Sequence, residues 1–222
     1  MSYDRDEYYG DILEGLAAWY ESPFIADLRA TLSRHPEPDL GGALNRNQIT
    51  SKLWLAESLR QSAGTSFGTV TVLGGWFGVL GAILLYDRRL AIGRVVSVDF
   101  DPRCAAVAES LNATSVRAGR FEARTADMRT LDYPEVDAMV APPDLLVNTA
   151  CEHVEGFDGW YRRVPAGQLV ALQSNDYTAI ADHVNCVPDL DAFRAQAPLA
   201  AELFAGMQPH KRYRRFMLIG RK

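Results

Sequence analysis

The feature that most constrains the fold is a long run without a charged side chain, from Gln61 to Tyr86. Its first part, TVTVL, alternates as a strand does, whereas FGVLGAILLYDRRL places apolar residues at helical spacing. The period changes at the pair Gly74 and Gly75, which indicates a strand, a tight turn and a helix. The run is long enough to cross a bilayer. Its six glycines and its Thr and Ser side chains lower the hydropathy, so a membrane helix is the less favoured interpretation.

The same alternation of strand and helix continues to the end of the sequence. Strands are expected at 68–74, 94–100, 120–126, 145–150 and 168–175, and the first helix between them at 77–91. The segment 136–141 competes with 145–150 for the fourth strand. Continuous apolar strands separated by helices predict a parallel sheet covered on both faces. LAAELFAGM and RYRRFMLIG, joined by QPHK, predict a closing pair of strands.

The segment before the first strand shows helical spacing and no strand pattern. One face of the first helix carries Tyr9, Ile12, Leu13, Leu16 and Tyr20. A later helix is expected to begin near Thr50 or Ser51. We therefore divide the chain into an N-terminal helical lid, residues 1–65, and a catalytic domain, residues 66–222.

Charge and cysteine content exclude several classes of function. The formal net charge is −5, whereas a dedicated nucleic-acid binder is usually basic, so no nucleic-acid partner is expected. Three widely spaced cysteines without a C-x-x-C pair suggest neither a disulfide framework nor a structural zinc site, and no metal is predicted. The acidic N-terminus lacks the pattern of a signal peptide, and a reducing cytoplasm is the expected location.

The glycine turn is expected to be a ligand site, because parallel sheets bind ligands at the carboxyl ends of their strands. Gly74 and Gly75 let the backbone turn tightly, and the following helix offers its N-terminal amides. Asp99 ends the second strand, one helix and one strand after this turn, and a carboxylate there can accept hydrogen bonds from ribose hydroxyls. These two features fit both NAD and S-adenosylmethionine.

Further residues favour S-adenosylmethionine over NAD. A dinucleotide site has the pattern G-x-G-x-x-G, which leaves room for pyrophosphate, but Trp76 and Phe77 occupy that place here. S-adenosylmethionine has no phosphate. Asp127, at the end of the third strand, can accept from an adenine amino group, and Met128 can pack on the ring.

At this point the sequence resembles the class I S-adenosylmethionine-dependent methyltransferases. The segments that carry the resemblance are VTVLGGWFGVLG, VVSVDFDP, TADM and LLVNTACEH. It implies a Rossmann-like α/β fold with a seven-stranded, mostly parallel sheet, an antiparallel C-terminal pair and an N-terminal helical lid. It also implies S-adenosylmethionine as the cofactor.

The resemblance carries over to individual positions. It places Gly74, Gly75 and Gly78 at the methionine end of the cofactor, Asp99 at the ribose, and Asp127 and Met128 at the adenine. Trp76, Phe100 and Asn148 complete the predicted cofactor contacts. The glycine motif departs from the family pattern, because no acidic residue precedes it and Trp76 intrudes. We therefore expect the amino-acid end of the cofactor to be held differently.

Candidate catalytic residues follow the fourth and fifth strands. They are Asn148, Glu152, His153 and Tyr177. Either Glu152 or His153 could act as a general base, and His153 is the more natural one near neutral pH. Cys151 is a less favoured nucleophile, since methyl transfer needs no covalent intermediate. The family's N/D-P-P-Y/F motif is not present, because the chain reads NTAC at this place.

The acceptor is expected beside a polar group of residues after the fifth strand. The predicted substrate contacts are Asn175, Tyr177, His183 and Asn185. Arg46 and Lys52, in the helical region, could meet the cofactor carboxylate. The helices over the cleft suggest a small acceptor, not a polymer. The basic run HKRYRRF is interpreted as a solvated hairpin.

Three functions remain open on the sequence alone. The favoured one is methyl transfer to a nitrogen or oxygen of a small molecule. The first alternative is cyclisation of S-adenosylmethionine itself, which gives azetidine-2-carboxylate and methylthioadenosine. The second is a nicotinamide-dependent oxidoreductase or a non-catalytic cofactor-binding module. No membrane partner is expected, and the oligomeric state is left open.

Overall fold

The computed structural model describes residues 5–131 and 144–222 of the chain. The helices are Arg5–Trp19 (α1), Pro23–Arg34 (α2), Leu40–Ala43 (α3), Arg46–Ser62 (α4), Val79–Tyr86 (α5), Pro102–Leu111 (α6), Ala113–Arg117 (α7), Phe157–Arg163 (α8) and Leu190–Gln196 (α9). The strands are Ser66–Leu73 (β1), Ala91–Asp99 (β2), Phe121–Thr125 (β3), Leu145–Asn148 (β4), Leu169–Asn175 (β5), Ala201–Pro209 (β6) and Arg214–Arg221 (β7). The competing strand at 136–141 lies outside the described residues.

The seven strands form one sheet in the order β3-β2-β1-β4-β5-β7-β6. The first five are parallel, and β7 pairs antiparallel with both β5 and β6. The predicted fold class is confirmed. The strand order reverses beside β1, which places the ends of β1, β2 and β4 where such sheets bind ligands.

Helices cover both faces of the sheet. On one face, Leu55 and Leu59 of α4 pack in the same buried cluster as Leu80 of α5 and Val72 of β1. On the other face, α8 and α9 contribute Trp160 and Phe193. Although α4 belongs to the N-terminal helical region, it is therefore part of the core of the sheet. In the described part of the chain, no helix has the length and apolar character needed to span a bilayer.

The helix predicted at 77–91 is shorter than expected. It ends at Tyr86, and the Asp87 carboxylate accepts a hydrogen bond from the backbone nitrogen of Arg89, which forms a turn. Arg88 and Arg89 therefore follow the helix and do not form its last turn. Gly93 does not end the helix either, because it lies in β2, where a Cβ would stand 2.5 Å from the Gly68 carbonyl oxygen.

Two expectations for the N-terminal helices are also corrected. α4 begins at Arg46, because the side chain of Asn45 accepts a hydrogen bond from the Gln48 nitrogen and caps the helix earlier than predicted. The apolar face predicted for α1 is not buried: Leu16 and Tyr20 are 38% and 67% exposed. The reason is position, since α1 packs mainly on α2, away from the sheet.

Candidate active site

The turn after β1 brings bare backbone to the carboxyl edge of the sheet. Gly74, Trp76 and Gly78 have φ angles of 61°, 48° and 73°, a conformation that favours glycine. A Cβ on Gly74 would lie 3.1 Å from the Ala150 Cβ, and one on Gly75 would lie 2.0 Å from the Ser97 Oγ. The glycines are therefore required by close approach to β2 and to the segment after β4.

Asp99 is bonded directly to this turn. Its Oδ2 accepts a hydrogen bond of 2.8 Å from the backbone nitrogen of Trp76, and its Oδ1 accepts one of 3.0 Å from the Asp101 nitrogen. The Gly75 nitrogen donates to the Val98 carbonyl oxygen at 3.0 Å. A carboxylate has about four acceptor positions, so Asp99 keeps the capacity to accept from hydroxyl groups.

Aromatic side chains flank the turn and the acid. Trp76 stacks on Phe77 with 4.8 Å between ring centroids and is 36% exposed. Phe100, next to Asp99, is 76% exposed. A planar ligand resting beside Asp99 would meet apolar ring surface on this rim.

The residues predicted to meet adenine lie at the ends of β3 and β4. Arg129 forms an ion pair of 2.8 Å with Asp127, and its hydrogen bonds lower the pKa of that carboxyl. Asn148 is fully buried: its Nδ2 lies 3.4 Å from the Met128 sulfur and its Oδ1 accepts from the Ala150 nitrogen. Asn148 thus orients Met128 and the turn after β4. Contact with the cofactor stays a prediction for all three residues.

A buried ion pair links the segment after β4 to the last strand. Glu152 is 2% exposed, and its Oε1 accepts hydrogen bonds from Asn175 at 2.5 Å and from Arg215 at 3.3 Å. Arg215 is 6% exposed and also donates to the Thr149 carbonyl oxygen. The interpretation of HKRYRRF as a solvated hairpin is therefore wrong for Arg215.

Asn175 has a different environment from the one expected of a substrate contact. It is 1% exposed, its Nδ2 donates to Glu152, and its Oδ1 accepts from the Tyr177 nitrogen at 2.8 Å. Asn185 likewise donates to the Cys151 carbonyl oxygen. Both amides hold the ends of β4 and β5 together.

Lys52 of α4 lies within the electrostatic influence of Glu152 and Arg215. The Nζ donates to Gln48 Oε1 at 2.5 Å, and burial lowers the pKa of Lys52 to about 7, with the Arg215 charge acting in the same direction and Glu152 opposing it. The neighbouring Ser51 donates to Gln173 of β5. Sequence reasoning directed Lys52 toward the cofactor carboxylate, whereas the structure places it in the field of Glu152 and Arg215.

Two histidines stand beside Glu152. The rings of His153 and His183 are perpendicular, with 4.5 Å between centroids. The Nδ1 of His153 lies 3.0 Å from the Asp182 carbonyl oxygen, and the Nδ1 of His183 lies 2.5 Å from that of Tyr177. Because a carbonyl oxygen only accepts, these contacts require a proton on each Nδ1, and Nε2 is the ring nitrogen left for another partner.

Cys151 is unsuited to nucleophilic attack. It is fully buried, and burial raises the pKa of its thiol well above the ordinary value. The reactive thiolate is therefore disfavoured near neutral pH.

A cavity of about 280 Å³ lies beside the end of β5. It is lined by Asn47, Tyr177, Lys211, Arg212 and Tyr213. Tyr177 and Tyr213 face each other with 5.5 Å between ring centroids. A cavity of about 530 Å³, lined in part by Ser66 and Gln168, lies at the opposite edge of the sheet, away from Asp99 and Glu152.

Solved structures with the same architecture include enzymes that methylate or cyclise. The N-methyltransferase NodS from Bradyrhizobium japonicum WM9, solved with S-adenosyl-L-homocysteine, matches 86% of this chain and 97% of its own at TM-score 0.60 and 13% identity. The [4+2]-cyclase SpnF matches 95% and 96% at TM-score 0.60 and 11% identity. An O-methyltransferase family protein from Burkholderia thailandensis matches 98% and 70% at TM-score 0.54 and 15% identity.

These likenesses establish the fold. No protein-family model matches the sequence, and the search of curated proteins finds no match. The resemblance inferred from the motifs is confirmed at the level of architecture: the chain has the fold of the class I S-adenosylmethionine-dependent methyltransferases.

Proposed function

We propose that this chain is an S-adenosylmethionine-dependent methyltransferase that acts on a nitrogen or oxygen of a small molecule. The observation that carries the proposal is the bond between the Trp76 nitrogen and Asp99 Oδ2, because it joins the glycine turn to the acid that we propose binds the ribose, at one edge of a methyltransferase fold. NodS, which has this fold, was solved with S-adenosyl-L-homocysteine.

The residues at this edge fit the proposed cofactor. Gly74 and Gly75 have no side chain, and the close packing of the turn against Ala150 and Ser97 leaves little room for one. Asp99 would accept from the ribose hydroxyls, and Phe100 would cover one face of the adenine. The cofactor supplies an electrophilic methyl group on its sulfonium when bound.

The cavity beside Tyr177 supports a small acceptor. Its volume of about 280 Å³ is near the lower end of ordinary small-ligand pockets. Tyr177 and Tyr213 would hold a flat group, and the Lys211 and Arg212 side chains favour an acceptor that carries an anionic group. Two further predictions remain part of this proposal: the protein has no nucleic-acid partner, and it is located in the cytoplasm.

Lys52 is the residue we propose to take a proton from the acceptor. With a pKa of about 7, a large share of its amine is neutral at physiological pH and can accept one. It lies on α4, the helix that also supplies Asn47 to the cavity wall. The Gln48 side chain accepts a hydrogen bond from the Lys52 Nζ and would orient it, while the nearby charges of Arg215 and Glu152 act on its pKa in opposite directions.

Cofactor titration tests the first half of the proposal. Isothermal calorimetry would measure the binding of S-adenosylmethionine, S-adenosylhomocysteine and NAD to the wild type and to D99A. We expect binding of the two sulfur compounds and a loss of at least about tenfold in D99A, because a hydrogen bond to a charged group contributes roughly 1.5–3 kcal/mol. The exposed acid variant D158A serves as the matched control. Binding of NAD alone, or unchanged affinity in D99A, would overturn the proposal.

Product analysis tests the second half and separates the alternatives. SpnF is a [4+2]-cyclase with this fold, so the fold alone does not decide the reaction, and cyclisation of S-adenosylmethionine stays the second candidate. Mass spectrometry after incubation with S-adenosylmethionine would detect S-adenosylhomocysteine only with an acceptor if methyl transfer is correct. Methylthioadenosine formed without any acceptor would support cyclisation to azetidine-2-carboxylate instead.

A further inference from the structure

Glu152, His153 and His183 bring three potential metal ligands together at the ends of β4 and β5. One ligand atom from each residue lies within 4.8 Å of the other two. Ligands bound at about 2.0–2.2 Å from an ion stand roughly 3–4 Å apart, so modest side-chain rotations would close the set around one ion.

The tautomer that their backbone contacts require of the two histidines suits this role. Each donates its Nδ1 proton to a backbone carbonyl oxygen, of Asp182 or Tyr177, which leaves Nε2 as the ligand nitrogen. A hydrogen bond from the second ring nitrogen to a carbonyl is the usual support of a metal-binding histidine, because it fixes both the tautomer and the orientation of the ring.

Glu152 gives an independent indication that a cation binds here. Its Oε1 is occupied by Asn175 and Arg215, but its Oε2 is buried and has no hydrogen-bond partner within the described residues. A buried unsatisfied carboxylate oxygen is costly, and a cation beside His153 and His183 would satisfy it.

We propose that Glu152, His153 and His183 bind one divalent first-row transition-metal ion. Two imidazoles and one carboxylate match Zn²⁺, Fe²⁺ or Mn²⁺ and not Ca²⁺, which takes six to eight oxygen ligands. Three protein ligands leave coordination positions open. The charge of Arg215 beside Glu152 opposes a second ion and moderates the affinity for the first.

The position of the site suggests what the ion does. It follows β4 and β5 at the same edge as Asp99, beside the segment that contains Tyr177. If the proposed function holds, an acceptor oxygen could bind at an open coordination position, which would lower its pKa. Metal binding itself does not depend on methyl transfer.

Titration of the chelator-treated protein with Co²⁺ tests the site. We expect one equivalent to bind with visible d–d absorption, and Zn²⁺ to displace it. H153Q and H183Q should each weaken Co²⁺ binding at least about tenfold, whereas H35Q, just after α2, should bind as the wild type does. No Co²⁺ binding by the wild type, or full binding by both H153Q and H183Q, would overturn the proposal.

Nitrogen NMR of the histidines uses only the wild-type protein, so the result does not depend on whether a variant folds. The chain has four histidines. We expect Zn²⁺ to shift the Nε2 resonances of two of them and to leave the other two unchanged; shifts of none or of all four would contradict the site. S-adenosylmethionine titration of the same chelator-treated sample is a separate readout, so the metal site and the proposed function fail independently.

Discussion

The backbone nitrogen of Trp76 lies 2.8 Å from Oδ2 of Asp99, so the carboxylate that ends β2 also fixes the turn after β1. The residue whose nitrogen donates is itself in the left-handed region, at φ 48°. A turn that would be easiest for glycine is therefore built around a tryptophan and held in place by an acid from the neighbouring strand.

Replacing Trp76 separates backbone strain from side-chain packing. W76G and W76A both remove the stack on Phe77, but only W76A keeps a Cβ at a positive φ. We expect W76G to be more stable than W76A by about 1 kcal/mol. Urea unfolding measures both values, and W76A equal to or more stable than W76G would show that the turn relaxes out of the left-handed region.

Gly75 is predicted to accept a methyl group only at a cost in stability while Ser97 is present. A Cβ there would lie 2.0 Å from the Ser97 Oγ and 3.2 Å from its Cβ, so G75A should lower the free energy of unfolding by roughly 1–3 kcal/mol. The double variant G75A/S97A should recover part of that loss, because the hydroxyl is gone. Strictly additive losses in thermal or chemical unfolding would argue against this contact.

The pair Glu152 and Arg215 should show strong coupling. R215M leaves a buried carboxylate without its cation, and we expect a loss of roughly 3–5 kcal/mol. E152Q/R215M removes both charges and should lose less than the sum of the single variants, with a coupling of about 1–3 kcal/mol. The double-mutant cycle is measured by chemical denaturation. Zero coupling would place Arg215 in solvent.

Lys52 should make stability depend on pH. Its pKa is about 7 in the folded chain against an ordinary value of 10.5, so between these values the unfolded chain binds a proton that the folded chain does not. Stability therefore rises with pH across this window, by at most about 1.4 kcal/mol per pH unit. K52M removes the titrating group, so its advantage over the wild type should shrink from about pH 7 toward about pH 10. A constant difference in unfolding free energy across these pH values would contradict the lowered pKa.

The central strands β4 and β5 could be predicted because they are buried on both faces and therefore appear as the apolar runs LLVN and LVALQSN. Helix ends were harder, because they depend on single hydrogen bonds. The bond from the Gln48 nitrogen to Asn45 moved the start of α4 by several residues, and the bond from the Arg89 nitrogen to Asp87 moved the end of α5 by a similar amount. Asn45 followed three residues later by Gln48 is a residue pattern typical of a helix N-terminus and was overlooked, whereas the Asp87 turn has no comparable signal.

The sequence predicted those parts of the candidate site in which the residue type and its place in an element determine its role. Gly74, Gly75 and Asp99 followed from the turn and the end of the strand. Arg215 was missed because both faces of β7 are buried, so no alternation marked it as inward-facing. Arg215 shares a face with Met217 and Ile219, but Phe216 and Leu218 on the opposite face are buried as well, so its parity gave no signal.

Glu152 and Arg215 come from segments 63 residues apart, and each neutralises the other with almost no solvent between them. A lineage that lost one of the two charges by a single mutation would carry an unstable protein until the other changed as well. The two positions are thus expected to be inherited as a unit, and related sequences should keep both residues or replace both.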